Sequence, residues 1–311
     1  MENDTSSKAF HLLFFPSVSG NRLLFFFVFF FLYLTGLLVN CTIIIVIYHS
    51  QHLHSPLYLF LCNLSIVDIL YTTVNVPKLL DMLLFDQNTM SFHHCFTQLF
   101  FWWGCASTED ILLFTMAYDR YVAICKPLHY HSVFSGKNCL KLIIVIWFSG
   151  SFNSLLVTIA ASKMSFCQST IIEQYFCDAK ALLKISCTGT KLFYIVICIE
   201  LLVFGLCPFL CTVISYMKII RVILHMSHKD GRHKAFNTCS SHLTVISVFY
   251  GTIFSTYMMP PARHLVDVEQ GLSILFTAVV PVLNPLIYSL PNKEVKRALI
   301  KLARGKYDLS K

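Results

Sequence analysis

Four acidic residues lie within long apolar stretches of the sequence: Asp68, Glu109, Asp110 and Glu200. If those stretches cross a bilayer, each acid costs about 2.5–3.5 kcal/mol, so each should face other helices and hold a partner or a proton. Glu109 and Asp110 are adjacent, about 100° apart on a helix, and cannot both face the same neighbour. Two kinds of site fit such acids: a proton or ion pathway, as in a transporter, or a bound cation inside a bundle that changes shape.

An Asp-Arg pair, Asp119 and Arg120, closes another apolar stretch, in "MAYDRYVAICKPLHY" (116–130). A guanidinium is always charged, so it can exchange partners without losing its proton. On its own the pair fits either a plain interfacial anchor or a switch. The sequence contains no GxGxxG, P-loop, HExxH or GxSxG motif, and its histidines have no spacing that closes a zinc ligand set. We therefore expect neither an enzyme nor a metal centre.

The elements that position these residues are membrane spans. Hydrophobic residues make up 56% of the 311 residues and charged residues only 13%, with 28 Phe. A soluble surface needs about a quarter of its residues charged. About 20 apolar residues cross a bilayer as a helix. Seven candidate spans follow, at 23–48, 57–80, 96–121, 140–161, 192–217, 237–259 and 271–290.

The distribution of Lys and Arg predicts the orientation of the spans. These residues are concentrated in 120–141, 218–236 and 291–311, which would face the cytoplasm. We therefore expect an extracellular N-terminus (1–22), a seven-span bundle (23–290) and a cytoplasmic tail (291–311) in the plasma membrane. The net charge of +8 then reflects a basic inner face, suited to anionic lipid or an acidic partner and not to nucleic acid.

Cysteines and sequons add detail to the outer side. Of 13 cysteines, those predicted to lie outside are Cys95, Cys167, Cys177 and Cys187. An oxidising exterior permits disulfides, and four cysteines allow three pairings, which these residues alone leave open. Asn3, in "NDT", is the sequon that lies outside the predicted spans and is the expected glycosylation site.

The tail and the prolines predict local features. In "NKEVKRALIKLAR" (292–304), apolar residues recur at helical spacing among basic ones, which is typical of a short amphipathic helix on the inner leaflet. Prolines interrupt the predicted spans at Pro77, Pro208, Pro281 and Pro285. Such prolines serve as packing kinks or as hinges, and both interpretations stay open.

Six segments in order resemble the odorant (olfactory) receptors, a branch of the rhodopsin-like G-protein-coupled receptors. The first is "MAYDRYVAICKPLHY", and "PLYLFLCNLSIVD" (56–68) resembles the second-span motif. The others are "SYMKII" (215–220), "KAFNTCSSHL" (234–243), "FYGT" (249–252) and "PVLNPLIYSLPNKEVKRAL" (281–299). The resemblance covers nearly the whole chain. It implies an all-α membrane protein, a seven-transmembrane helix bundle with a short amphipathic C-terminal helix.

The resemblance also implies how the bundle would signal. In such receptors the matching Arg lies near its neighbouring Asp when the bundle is closed, and it helps to form the G-protein pocket when the sixth span swings outward. The residues carried over for coupling are Asp119, Arg120, Tyr121, Tyr216, Asn284, Pro285 and Tyr288. Asp68 and Glu109 match a mid-bundle polar cluster that resembles a sodium site; no other cofactor is implied. The implied disulfides are Cys95–Cys177 and Cys167–Cys187.

The implied ligand is a small, mostly apolar odorant, and the implied partner is a stimulatory heterotrimeric G protein that raises cAMP. Its pocket would lie between the outer halves of the third, fifth, sixth and seventh spans. The residues expected to line it are Trp102, Trp103, Ala106, Ser107, Glu200, Leu201, Phe204, Tyr250, Ile253, Phe254, Tyr257 and Ile274. Ser107, Tyr257 and Glu200 would orient the ligand, and Tyr250 matches a switch residue.

Three residues depart from the family pattern: Val39 where Gly is usual, Asp110 where a small residue is usual, and Pro291 where Arg is usual. We expect these departures to affect coupling efficiency and not the fold. The alternative to a receptor is a membrane transporter or ion pathway that uses the intramembrane acids. Transporters often contain inverted repeats and paired broken helices, and the sequence shows neither.

Overall fold

The computed structural model describes residues 9–14, 20–166, 170–188, 190–225, 229–258, 265–289 and 293–303. Its helices are α1 (Arg22–His49), α2 (Pro56–Phe85), α3 (Phe92–Cys125), α4 (Tyr130–Val133), α5 (Gly136–Ser162), α6 (Ala179–Ile185), α7 (Thr190–His225), α8 (Lys229–Met258), α9 (266–289) and α10 (Lys293–Ala303). Its strands are β1 (Ala9–Leu12), β2 (Thr89–Ser91) and β3 (Ile171–Ile172). Within these ranges seven long helices form a bundle, which confirms the predicted fold class.

Five of the described helices are long and apolar enough to cross a membrane: α1, α2, α5, α7 and α9. The third and sixth predicted spans, α3 and α8, are equally long but more charged. Glu109, Asp110 and the Asp119-Arg120 pair lie in α3, and α8 begins with "KDGRHK". The outward faces of the apolar helices expose large side chains: Leu38 is 68% exposed and Phe148 is 70% exposed. Such faces suit lipid, so the chain is a multi-pass membrane protein.

Prolines coincide with local widening of two helices. A π-helical segment, Leu201–Leu206, lies just before Pro208 in α7, and a second, Leu275–Val279, lies just before Pro281 in α9. A proline lacks the N–H for the carbonyl four residues back and collides with it, which favours a wider or kinked turn before the proline. By contrast, α2 continues through Pro77 and α9 through Pro285.

A three-stranded sheet closes one end of the bundle, which we call the sheet end; the opposite end, which carries Arg120, is called the Arg120 end. The strand order is β2-β1-β3, with β1 antiparallel to β2 and parallel to β3. Phe10 and Leu12 of β1 are fully buried, and Phe10 stacks on Phe92 with 4.2 Å between ring centroids. The sequence pattern did not predict these short strands, because each is only two to four residues long.

Close helix packing positions the site. Gly150 of α5 lies against Thr108 of α3, where an added Cβ would collide with the Thr108 hydroxyl, and Gly104 lies beside Ser154.

At the Arg120 end, α10 buries Val295 and Ala298 and exposes Lys296 and Arg297, as the predicted amphipathic pattern requires. Tyr58 of α2 donates a 2.9 Å hydrogen bond to Glu294 Oε2 and ties α10 to the bundle.

Candidate ligand cavity and coupling site

A small cavity lies at the sheet end of the bundle, between α3, α8, α9 and the loop that precedes α6. It is lined by Trp102, Phe176, Asp178, Ile253, Thr256, Ser273, Phe276 and Thr277. Three aromatic rings make up much of the wall: the Trp102 ring is 5.5 Å from that of Phe176 and 6.4 Å from that of Phe276. The cavity is therefore mostly apolar with a few polar groups, and its volume of about 10 Å³ is room for a single water molecule.

The loop residues are held over the cavity by covalent and polar contacts. A disulfide joins Cys95 of α3 to Cys177, and Cys177 N donates a 2.8 Å hydrogen bond to Gln98 Oε1. Phe176 and Asp178 flank Cys177, so the disulfide positions both. The first implied disulfide is thus confirmed. The second falls on Cys167, which lies outside the described residues, as do Asn3 and Pro291.

Charged groups connect α6 to the rest of the sheet end. Glu269 of α9 pairs with Lys180 at 2.5 Å and with Lys184 at 3.0 Å. Lys180 Nζ also donates to the carbonyl oxygen of Thr256 in α8 at 2.8 Å. These contacts join the loop helix to the sixth and seventh spans beside the cavity.

A cluster of polar side chains lies between α3, α5 and α7, further from the sheet end than the cavity. Asn153 Nδ2 donates a 2.9 Å hydrogen bond to Ser107 Oγ, and Ser107 donates to the Trp103 carbonyl oxygen at 2.9 Å. The Glu200 carboxyl group accepts hydrogen bonds from the side chains of Trp103 and Asn153. Three residues expected to line one pocket, Trp103, Ser107 and Glu200, therefore belong to one network.

Asp110 contacts the sixth span. Tyr250 OH donates a 2.5 Å hydrogen bond to Asp110 Oδ1, and the Tyr250 ring lies 4.9 Å from that of Phe209 in α7. Asp110 is 5% exposed, and its Oδ2 has no partner among the described residues. Asp110 and Tyr250 thus link α3 to α8 in the middle of the membrane.

Two further acids share one amide. Asn284 Nδ2 donates hydrogen bonds of 3.0 Å to both Asp68 Oδ1 and Glu109 Oε1. All three residues are 1% exposed. Asp68 Oδ2 is buried and has no partner in the described part of the chain. The chemistry of this cluster of carboxyl oxygens fits a small cation, since oxygen ligands are what Na⁺-like hard cations prefer.

At the Arg120 end, the guanidinium is paired to its own helix. Arg120 Nε donates to Asp119 Oδ2 at 2.8 Å, and Nη2 contacts the same oxygen. Tyr130 OH donates to Asp119 Oδ1 at 2.8 Å. Burial raises the pKa of the Tyr130 hydroxyl, and the charge of Asp119 raises it further, so Tyr130 stays a donor at neutral pH. Asp119, fully buried, is thus satisfied on both oxygens.

Beside this pair, three aromatic side chains connect three helices. Tyr216 of α7 is hydrogen-bonded to Nδ1 of His242 in α8, and the His242 ring lies 5.8 Å from that of Tyr288 in α9. All three side chains are buried. Lys218 Nζ lies 5.5 Å from the centre of the Tyr121 ring.

Comparisons with known proteins agree on one family. The sequence model described as "Olfactory receptor" matches residues 29–306. Olfactory receptor 1468 of Rattus norvegicus is 42% identical over 97% of this chain and 96% of its own length. Olfactory receptor 1 of Rattus norvegicus and olfactory receptor 1E16 of Mus musculus are each 40% identical over 96% of this chain and 95% of their own length. The chain belongs to the olfactory receptor family. That family consists of signalling receptors and not of enzymes.

The structure of this olfactory receptor places the predicted ligand residues in several environments. Trp102 and Ile253 line the cavity, and Trp103, Ser107 and Glu200 form the neighbouring network. Tyr250 and Phe254 pack with Phe209, whereas Leu201 is 46% exposed on the outer face of α7. Ala106, Phe204 and Ile274 are partly buried, and for Tyr257 the structure describes only its place in α8.

Sequence reasoning missed six residues that line the receptor's cavity: Phe176, Asp178, Thr256, Ser273, Phe276 and Thr277. A signal existed for three of them, because Ser273, Phe276 and Thr277 recur at i, i+3 and i+4 and so share one face of α9. Phe176 and Asp178 flank a predicted disulfide cysteine. His242 lies in the segment 234–243, which resembles the family, but its contacts with Tyr216 and Tyr288 depend on the packing of three helices.

Proposed function

We propose that this receptor binds a small, mostly apolar odorant at the sheet end and activates a stimulatory heterotrimeric G protein at the Arg120 end, raising cAMP. One observation carries the proposal: a single helix, α8, contacts both regions. Tyr250 of α8 bonds to Asp110 below the cavity, and His242 of the same helix bonds to Tyr216 beside the Arg120 pair. A shift of α8 would therefore change both sites together.

Linkage between the two sites then follows from thermodynamics. An odorant that binds the open bundle better than the closed bundle shifts the population towards the open one, and a G protein does the same from the other end. Arg120, paired with Asp119 in the closed bundle, would exchange that partner for the G protein. Small ligands gain at best about 1.5 kcal/mol per heavy atom and usually far less, so we expect micromolar or weaker affinity.

The proposal includes an orientation and a cation. The sheet end, with Asn3 as the glycan acceptor, would be extracellular, and the basic α10 would lie on the cytoplasmic leaflet at the plasma membrane. Asp68, Glu109 and Asn284 would hold a sodium ion in mid-bundle. When bound, the ion would supply the positive charge that two neighbouring buried carboxyl groups need.

A cAMP assay in cells that carry an olfactory-type G protein tests the proposal. Odorants from a broad panel should raise cAMP, and Arg120→Ala should abolish the response with surface expression intact. Because Arg120→Ala leaves Asp119 buried without its cation, the double variant Asp119→Asn/Arg120→Ala is measured as well. Arg22→Ala is the control, since Arg22 forms a solvent-exposed pair with Asp86 at the sheet end. Responses that persist in both Arg120 variants, or substrate flux without cAMP, would refute the proposal.

A further inference from the structure

The ammonium group of Lys180 lies between two acceptors on different helices. Lys180 belongs to α6, in the loop between α5 and α7, and its Nζ is 2.5 Å from Glu269 Oε1 of α9. The same Nζ donates a 2.8 Å hydrogen bond to the Thr256 carbonyl oxygen of α8. The side chains of Lys180 and Glu269 are only 18% and 11% exposed, so water screens this ion pair less than it screens a surface pair. One cation therefore joins the loop to the sixth and seventh spans.

The backbone that carries Lys180 is held independently of α8. Asp178 Oδ2 accepts from the backbone N–H groups of Lys180 and Ala181, each at 3.1 Å, and so caps the start of α6. Cys177, one residue before Asp178, is bonded to Cys95 of α3 through the disulfide. The ammonium group of Lys180 thus belongs to a segment whose covalent anchor is α3.

The Thr256 carbonyl group lies where a movement of α8 would be felt. Thr256 belongs to the final turn of α8 (Lys229–Met258) and to the cavity wall, as does Asp178 on the loop side of the cavity. Carbonyl groups in the last turn of a helix carry the negative end of its dipole, so they attract a cation. A shift of this end of α8 away from α9 would lengthen the contact of Lys180 with Thr256 or with Glu269.

Lys184 pairs with the same acid but does not connect it to the sixth span. Its Nζ lies 3.0 Å from Glu269 Oε2. Within the described part of the chain, the Lys184 side chain forms no hydrogen bond or ion pair with α8. The two lysines therefore share a carboxylate and differ in their contact with α8.

We propose that Lys180 is a positioning residue whose ammonium group locks the sheet end of α8 to α9 and to the disulfide-anchored loop, and that the locked arrangement is the inactive one. This inference rests on the proposed function, in which a shift of α8 changes the G-protein site. The lock needs both contacts of the ammonium group, with Glu269 and with Thr256. Loss of either contact releases α8 and shifts the population towards the open bundle without an odorant.

The test measures cAMP in the absence of odorant, normalised to the amount of full-length receptor at the cell surface. Lys180→Met keeps a long apolar stem and removes the charge. Its basal cAMP should rise about threefold to tenfold over that of the wild type, since one partly screened, charge-assisted hydrogen bond is lost. Lys180→Arg retains a cation with several donors, so its basal cAMP should stay closer to that of the wild type.

Lys184→Met is the matched control. It removes an ion pair with Glu269 but leaves both contacts of Lys180 in place, so basal cAMP should not change. Glu269→Gln breaks the lock from the other side and should raise basal cAMP; it decides the question if Lys180→Met does not reach the surface. The double variant Lys180→Met/Glu269→Gln should signal no more strongly than Lys180→Met, because both substitutions break one link.

Each outcome decides a different question. Wild-type basal cAMP in Lys180→Met, or in Glu269→Gln where only that variant reaches the surface, overturns the inference. An equal rise in Lys184→Met also overturns it, because the ion pairs with Glu269 would then matter without the contact to α8. So do additive effects of Lys180→Met and Glu269→Gln. A purely structural role of Lys180 would lower surface expression and odorant-stimulated cAMP without raising the basal signal.

The proposed function fails separately from this inference. Odorant-driven cAMP in the wild-type receptor leaves the proposed function standing, whatever Lys180→Met does. A wild-type receptor that reaches the surface and answers no odorant overturns the proposed function itself.

Discussion

The Tyr250 hydroxyl on α8 donates a 2.5 Å hydrogen bond to Asp110 Oδ1 on α3, inside the membrane and below the cavity. Asp110 is also one of the three positions that the sequence analysis expects to depart from the family pattern. A hydrogen bond to a carboxyl group in a water-poor site contributes about 1.5–3 kcal/mol. The bond therefore holds the third and sixth spans together in this structure.

Tyr250→Phe should raise cAMP in the absence of odorant. The variant keeps the ring that packs on Phe209 and removes the bond between α3 and α8, so opening of the bundle costs less. Basal cAMP, normalised to surface expression, is the measurement. Asp110→Asn should have a smaller effect, because the amide oxygen still accepts from Tyr250. In the control Thr244→Ala, the lost hydroxyl is one that donates to the Ser240 carbonyl oxygen of its own helix. Unchanged basal cAMP in Tyr250→Phe would contradict the prediction.

Tyr130→Phe should also increase basal signalling, by loosening Asp119. The variant removes one of the two groups that bond to this buried carboxylate, at a cost of about 1–3 kcal/mol to the closed arrangement. Basal cAMP and odorant potency should both rise. Tyr118→Phe serves as the comparison, since Tyr118 of α3 packs on the same ring as Tyr130, that of Phe134, but is 40% exposed. If the two tyrosine variants behave alike, the role assigned to Tyr130 is wrong.

Asn284→Leu should reduce the amount of receptor at the cell surface. The amide joins Asp68 to Glu109, and its loss leaves two buried carboxyl groups facing each other without a donor. Unsatisfied buried groups cost about 1–3 kcal/mol each. Adding Glu109→Gln should restore part of the expression, because it removes one charge and supplies an amide. Surface labelling measures both variants, and failure of the second substitution to help would show that the acids do not interact through Asn284.

Gly150→Ala should destabilise the receptor. An added Cβ would collide with the Thr108 hydroxyl and would lie 3.1 Å from the Gly104 carbonyl oxygen, so α3 and α5 would have to separate. Overpacking of this kind costs about 1–3 kcal/mol. Gly205→Ala is the control, because nothing lies within 4 Å of its added Cβ. Thermal unfolding of the detergent-solubilised receptor should show a lower midpoint for Gly150→Ala alone, and equal midpoints would count against this packing.

The sequence by itself determined the class of the protein. Long apolar stretches and ordered motifs indicated seven helices and the family, and the structure places seven long helices close to the predicted spans: α1, α2, α3, α5, α7, α8 and α9. The apolar stretches suffice to predict these helices, because a segment that crosses a bilayer has little choice besides a helix. The basic amphipathic pattern of α10 and the Cys95–Cys177 disulfide were also predictable, the first from periodicity and the second from resemblance.

Only the tertiary structure decided which side chains meet. The strand β1 pairs with segments that follow it by about eighty and by well over a hundred residues, and no local pattern marks such short strands. The bonds Tyr250–Asp110 and Tyr216–His242 each depend on the rotation of two helices about their axes. A periodic sequence shows which residues share a face, but the neighbour of that face is set by packing of the whole bundle. For that reason the composition of the cavity wall emerged from the structure.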